Sequence, residues 1–486
     1  MAGLLAGVAD GALAEPLTRS IRPRARAGEY RKGAVASVDG LIAKAGLSGK
    51  IGFVVADART GLVLEARNPD VAMPPASTAK VPTALYALSA LGRGHRFRTQ
   101  LVATGSVQGG RLAGDLVLVG SGDPVLNTDA LGDLAAKLKA VGVHEVLGKF
   151  RYYAGALPHV ASIDPGQPDH VGYNPAISGL NLNFNRVHFE WRRASSGWDV
   201  SMDARAERYR PQVNVARMKV VNRQAPVFTY SDGKGVDDWT VASGALGKGG
   251  SRWLPVRKPA AYTAEVFQTL ARSQGIALPR ASEMATAPRG TVMAQNESPE
   301  LRAILRDMLK YSTNMTAEVV GMTATGTTSG RPASLSASAS TMSGWLRGAL
   351  GMTQAKFVDH SGLGGQSRIS PSDMVRALVK VGPDGALRPI LKELSMLDSK
   401  GKTVKGHPAR IRAKTGTLNF VSALAGYVTA EDGTELAFTI FTADEPRRAK
   451  IARSDRERPA GASGWNRRAR VLQMQLIDRW STLYGS

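Results

Sequence analysis

Three short fragments, far apart and in a fixed order, constrain this chain more than any other feature. They are Ser77-x-x-Lys80 in PPASTAKVPTALYAL, Ser312-x-Asn314 in YSTN, and Lys414-Thr415-Gly416 in AKTGTLNF. Taken singly they are weak. A serine three residues before a lysine arises about twice by chance at this length. Ser231 with Lys234 in SDGKG and Ser399 with Lys402 in SKGK are such pairs, both in turn-like contexts. Ser77 differs by its placement: Met73-Pro74-Pro75 precedes it, and Val81, Ala84, Leu85 and Leu88 follow in a one-sided apolar pattern, so it stands at a helix entrance. There a hydroxyl either caps the helix or serves as a nucleophile whose base lies one turn on. Residues three apart share a helix face, and the free N–H groups of a helix start favour developing negative charge.

Composition sets the frame for these fragments. At 486 residues and 43% hydrophobic, the chain can bury more than one core, and about 100–200 residues per domain suggests two or three. The formal charge of +23 raises the question of a polyanionic partner. The basic residues are scattered, however, with clusters at Arg19 to Arg26 and Arg447 to Arg458 and no interleaved aromatic ladder. That pattern reads as a solvated basic face, with no nucleic acid as partner. Cysteine is absent, which excludes disulfides and thiolate metal sites. No stretch approaches the ~18 apolar residues of a membrane span, so no transmembrane segment is expected.

The order of elements reads as a discontinuous fold. A helix near Ala34 to Ala45 and a hairpin around Ala58 to Gly61 precede the Ser77 helix. From about Gly92 the texture changes to short strands with glycine turns, a helix over Asp129 to Val141, a polar stretch to about Arg257, and a helix AAYTAEVFQTLARSQGI stopping at Gly275. Long elements then return. Ser298-Pro299 starts the helix PELRAILRDMLKYSTNM, a Ser- and Ala-rich loop is expected over Thr327 to Ser340, and a helix over Met342 to Leu350. Ser370-Pro371 opens another helix, Phe420 to Phe441 alternates as a hairpin turning at Asp432-Gly433, and Ala469, Leu472, Leu476, Trp480 and Leu483 form the packing stripe of a last helix. Helices and an antiparallel sheet share this region, so the class is α/β with segregated layers.

The ordered set of Ser-x-x-Lys, Ser-x-Asn and Lys-Thr-Gly is a specific signature of active-site serine penicillin-recognising enzymes. Together with GDLVLVGSGDP from Gly114, STNMTAE from Ser312, DHSGL from Asp359 and AKTGTL from Ala413, it makes the chain resemble the low-molecular-mass class C penicillin-binding proteins. Within them it is similar to the D-alanyl-D-alanine carboxypeptidase/endopeptidase group, peptidase family S13. The resemblance runs from about Lys50 to Phe441. It implies a β-lactamase/transpeptidase-like catalytic domain, an antiparallel sheet flanked by helices, with a large multi-domain insertion. About 235 residues separate Ser77 from Ser312, where a compact domain of this kind needs on the order of 60. The expected division is 28–91 and 298–486 for the catalytic domain, 92–185 with 258–297 for one accessory domain, and 186–257 for a second nested within it.

The same resemblance implies roles. Ser77 attacks the carbonyl of a terminal D-Ala-D-Ala bond and is acylated, and β-lactams are covalent inhibitors. Lys80 is the base, with Lys414 and partial burial expected to lower its pKa. Ser312 relays a proton to the leaving amine, and Asn314 holds Lys80 and the substrate's amide. Lys414 and Thr415 meet the substrate's free carboxylate, Gly416 leaves room for an extended peptide, and Thr417 contributes substrate contacts. The backbone N–H groups of Ser77 and Thr417 form the oxyanion hole. Asp359, Ser361, Gly362 and the Asp123-Pro124 turn are read as structural, and His360 as a loop residue rather than a base. No metal or other cofactor is needed. The partners implied are peptidoglycan stem peptides and cross-links.

Alternatives on the same residues are a β-lactamase or a Ser-x-x-Lys esterase on this scaffold, or a non-catalytic cell-wall-binding protein. A Glu-x-x-Leu-Asn motif and a Tyr-x-Asn triplet are missing, which counts against the β-lactamase. Pro82 removes a helical N–H just past Lys80 and is tolerable in the first turns, where it can bend the helix. The substrate implies a periplasmic or secreted protein. MAGLLAGVADGALAEP has the Ala-x-Ala ending of an export signal without its basic head, so the expectation is a signal truncated in this sequence.

Overall fold

The structure is a computed structural model that describes residues 35–485. The leader, the Arg19 to Arg26 cluster and the first residues of the expected catalytic segment lie outside the described residues. The organising element is a six-stranded antiparallel sheet made from both ends of the chain. Its strands are β1 (Lys50–Asp57), β2 (Val63–Arg67), β3 (Lys392–Leu394), β4 (Arg410–Leu418), β5 (Val421–Thr429) and β6 (Glu435–Ala443), in the order β3-β4-β5-β6-β1-β2. All nine residues of β5 are buried, as expected of a central strand covered on both faces.

Alternation along the strands sorts side chains into two layers. Ile51, Phe53 and Val55 of β1, with Phe438 and Ile440 of β6, pack against Leu472, Leu476, Ile477 and Trp480 of the C-terminal helix and against Leu41 of the N-terminal one. Val54, Ala56, Ala423, Ala425 and Tyr427 face a second layer of helices. The stripe read from the sequence is this buried face: Ala469, Leu472, Leu476 and Trp480 are all inaccessible. Trp480 lies 5.5 Å from the Phe53 ring, and its Nε1 donates to Glu65 Oε2 at 2.9 Å, so its one polar atom is satisfied where its ring is buried.

Besides Thr128–Ala140 and Pro259–Ser273 in the region after position 92, where the sequence places helices, and the short Glu445–Ala449, the helices in chain order are α1 (Val38–Ala45), α2 (Lys80–Leu91), α3 (Leu301–Tyr311), α4 (Asn314–Ser329), α5 (Leu335–Leu350), α6 (Pro371–Val381) and α7 (Ala462–Leu483). Two differences from the sequence reading matter for the site. The expected helix from Pro299 to Met315 breaks at Ser312, whose φ of 60° and ψ of 37° end α3. The expected loop over Thr327 to Ser340 shrinks to a few residues, because α4 runs to Ser329 and α5 begins at Leu335 under a Ser334 cap that accepts from the Ala337 N–H. Threonines and glycines disguise α4. Its Thr323, Thr325 and Thr328 hydroxyls donate to carbonyls four residues back, while Val319, Val320 and Met322 are buried in the core. Tertiary burial thus overrides low intrinsic propensity.

Residues between α2 and α3 build separate sheets. A five-stranded one takes Arg98–Ala103, Leu116–Gly120 and Phe150–Tyr153 from before position 186, and Ser282–Glu283 and Thr291–Glu297 from after 255. Two three-stranded sheets occupy the interval: Arg186–Arg193 with Trp198–Asp203 and Gly249–Pro255, and Ala216–Val221 with Phe228–Gly233 and Val236–Ala242. Among the described residues no helix is long and apolar enough to cross a membrane.

Candidate active site

Ser77 sits in a tight 3-10 turn, Ala76–Ala79, that runs directly into α2. The cap positions of the turn and of α2 are Pro75 and Ala79, and Ser77 Oγ is bonded to Lys80 Nζ, so the capping role left open by the sequence is not the one it fills. The turn is strained at Ala76, a buried non-glycine residue with φ of 46°. Two backbones close over it. A Cβ added to Gly362, itself at φ 76°, would fall 1.9 Å from the Ala76 carbonyl oxygen, and one added to Gly416 would fall 2.8 Å from the Pro75 oxygen and 2.9 Å from the Ser77 nitrogen. Gly416 is therefore required by the turn that carries Ser77, a reason separate from the room for a peptide expected from the sequence. Pro82 is the third residue of α2 and lies in its first turn, where its missing N–H has little to bond.

Lys80 is fully buried, and its Nζ donates to Ser77 Oγ at 3.0 Å, Asn314 Oδ1 at 2.8 Å and the Ser361 carbonyl at 2.9 Å. Three acceptors match the three hydrogens of an ammonium. On deprotonation the two pure acceptors, Asn314 Oδ1 and Ser361 O, keep the two remaining N–H bonds, which leaves the lone pair directed at Ser77 Oγ–H. Burial pulls the Lys80 pKa down to about 8, against the opposing charges of Glu318 and Asp359. Of the two causes expected from the sequence, burial is the main one, and the Lys414 charge is not among the causes at Lys80. The like charge of Lys80 figures instead as a secondary cause at Lys414, whose pKa burial holds well below the usual lysine value.

Lys414 Nζ donates to Ser312 Oγ at 3.0 Å and to the Thr415 carbonyl at 2.6 Å. The helix break at Ser312 is what turns its hydroxyl toward β4. Asn314 opens α4, and its Nδ2 donates to the Tyr173 carbonyl at 3.0 Å. One of its two amide hydrogens is thus engaged by a loop of the inserted region, which leaves the second for the substrate contact expected from the sequence. Ser77, Ser312, Asn314 and Thr417 line one cavity of about 300 Å3, together with Tyr173 and Arg448. Thr415 is exposed on β4 and does not line it. A larger cavity of about 970 Å3 shares Gln167 with this cleft but contains none of the three motifs.

Sequence reasoning missed the groups behind Lys80. Asp359, read as structural, accepts from the Gly362 and Gly364 N–H groups and adds its charge to the Lys80 environment. Glu318 was not singled out. The available signal was a glutamate one helical turn after Asn314 in a run of Met, Thr, Ala and Val. His360 is buried, with its Nε2 2.8 Å from Ser338 Oγ, and burial lowers its pKa to about 3, so it is a neutral packing residue.

Known proteins resemble this chain over most of its length. The chain is 28% identical over 455 residues to a D-alanyl-D-alanine carboxypeptidase of Actinomadura sp. (strain R39), an alignment that covers 86% of this chain and 82% of that protein. It is 24% identical over 413 residues to the D-alanyl-D-alanine carboxypeptidase DacB of Haemophilus influenzae, covering 80% and 85%. The crystal structure of penicillin binding protein 4 from H. influenzae superimposes with a TM-score of 0.70 at 22% identity, over 84% of this chain and 93% of that one, which is a likeness of fold. The model of the D-Ala-D-Ala carboxypeptidase 3 (S13) family matches residues 34–459, and the chain belongs to that family.

Proposed function

We propose that the chain is a serine D-Ala-D-Ala carboxypeptidase and peptidoglycan DD-endopeptidase that works through an acyl-enzyme on Ser77 and is acylated there by penicillin. The observation that carries this reading is the bonding of Lys80, whose neutral form has one lone pair and one hydrogen-bond partner left for it, the Ser77 hydroxyl. Lys80 takes the Ser77 proton as Oγ attacks the carbonyl carbon, and the backbone N–H groups of Ser77 and Thr417 receive the oxyanion. Ser312 accepts from Lys414, so its own hydrogen is free to go to the departing amine while its oxygen takes up the proton that Lys80 gained from Ser77, which restores both groups. Water then cleaves the ester. The same acylation serves a terminal D-Ala-D-Ala bond, releasing D-alanine, and a D-Ala cross-link, releasing a neighbouring stem peptide.

The catalytic unit in this reading joins 28–91 to 298–486, with 92–297 as accessory domains, the second nested in the first. The support is that β1 and β2 share one sheet with β3 to β6 while the intervening strands form others. Because peptidoglycan lies beyond the cytoplasmic membrane, the protein acts in the periplasm or outside the cell. Fractionation of native cells checks this: the protein belongs with the envelope or medium, and confinement to cytosol would refute it.

The test of function uses two readouts on purified protein. Intact-protein mass spectrometry after penicillin treatment is expected to show one adduct, mapping to the Ser77 peptide and absent in Ser77→Ala. Muropeptide mass analysis is expected to show loss of one alanine from pentapeptides and splitting of cross-linked dimers. An adduct on Ser231, or none, sinks the assignment.

A further inference from the structure

Ser77, Lys80, Ser312, Asn314 and Lys414 all take part in the proposed acylation, whereas Glu318, a fully buried carboxyl close behind them, has no role in it. Glu318 lies one turn beyond Asn314 on α4, so the two side chains share a face. Asn314 reaches Lys80 directly, and Glu318 reaches it through the backbone. Its Oε2 accepts from the His360 N–H at 2.8 Å and its Oε1 from the Ser361 N–H at 2.9 Å. From the other side Thr83 Oγ1, on α2, donates to the His360 carbonyl at 2.6 Å. The segment 360–361 is therefore gripped by two helices, and the next carbonyl, that of Ser361, accepts from Lys80 Nζ.

We propose that Glu318 is the positioning residue of the Lys80 amine: its carboxylate clamps the His360 and Ser361 amides so that the Ser361 carbonyl meets Nζ, and its negative charge sets how tightly that amine holds its proton. The proposal rests on the acyl-enzyme reading and deepens it. Both Glu318 oxygens accept backbone N–H bonds, which favour the ionised form over the neutral one. Burial and the charge of Asp359 push its pKa up to about 8, and the hydrogen bonds from Ser361 and the His360 N–H, with the charge of Lys80, oppose that rise. The other groups facing Lys80 are Asp359, whose carboxylate is occupied by Gly362 and Gly364 N–H, and Lys414 on β4. The His360 ring is neutral. Glu318 is thus the larger of the two carboxylate influences that hold the Lys80 proton on, a counterweight to burial.

The test is the rate of penicillin acylation as a function of pH, in wild type, Glu318→Gln and Glu318→Asp. In wild type the rate rises with pH as Lys80 loses its proton. Glu318→Gln removes the charge and sets an NH2 group against one of the amides. The expected result is a slower plateau and an acid limb moved to lower pH by about half a unit or more, a threefold or greater change in proton affinity. Glu318→Asp keeps the charge but shortens the clamp, so its plateau falls while its limb stays nearer wild type. Lower plateaus with all three limbs coincident would leave Glu318 a packing residue and overturn the proposal. If Glu318→Gln does not fold, it is compared in a Lys80→Ala background. Recovery of folding there supports the coupling to Lys80, and failure in both backgrounds refutes it. A wild type that penicillin does not acylate defeats the acyl-enzyme reading itself, which is a distinct outcome.

Discussion

Lys80→Ala is expected to slow acylation of Ser77 by about 10³-fold or more at saturating substrate, with the fold retained. General-base removal of a proton in the transition state contributes roughly 10²–10⁴-fold, and Nζ, bonded to Ser77, Asn314 and the Ser361 carbonyl, is the group placed to take it. The loss falls on kcat and kcat/KM together, because the interaction belongs to the transition state rather than to ground-state binding. The pH profile gives an independent sign. With the Lys80 pKa lowered to about 8, the neutral fraction and the rate rise about tenfold per pH unit below that value and level off above it. Lys80→Ala should flatten this limb. A variant that acylates within about tenfold of wild type, or keeps the limb unchanged, would assign the base elsewhere.

Lys414→Ala is expected to act twice. Lys414 donates to Ser312 Oγ, so its removal frees that hydroxyl from its orientation and slows turnover of every substrate, by about 10²-fold if proton delivery to the leaving amine is lost. If the ammonium also meets the terminal carboxylate, a substrate ending in an acid loses a further factor of about ten to a hundred, the worth of a hydrogen bond to a charged group. An amide-terminated analogue does not. The measurement is kcat/KM for the matched acid and amide, and the ratio of losses isolates the carboxylate. Equal losses would confine Lys414 to holding Ser312 and leave Thr417, which lines the cleft, as the recognition residue.

The three motifs were legible because chemistry fixes their spacing and the helix entrance and strand that carry them. The last helix and the hairpin at Asp432-Gly433 were legible from period alone, whereas the joining of strands from both parts of the chain into one sheet was implied only by the resemblance. What stayed hidden has a common cause. The Tyr173 and Ser361 carbonyls are backbone groups, so no side chain announces them. Glu318 stands in a run whose helix was itself obscured by threonines that back-bond to their own carbonyls. The reason for Gly416 is a contact with Pro75 and Ser77, more than 300 residues away in sequence, and no local pattern encodes it.

The pairing of β1 with β6, Lys50 opposite Ala443 and Phe53 opposite Ile440, sets a timetable for the newborn chain. The nucleophile is made early and the strands that complete its cleft are made last. At synthesis rates of roughly 5–20 residues per second, β1 waits about 20–80 s for its partner, with one edge of its sheet unmet throughout. Sheets of the 92–297 region have all their strands in hand long before. A hydrolase with this connectivity is born inactive by topology: until β4 has been made, neither Gly416 nor Lys414 can reach the turn that holds Ser77, and a chain cut short before β4 carries Ser77 without the strand that completes its cleft.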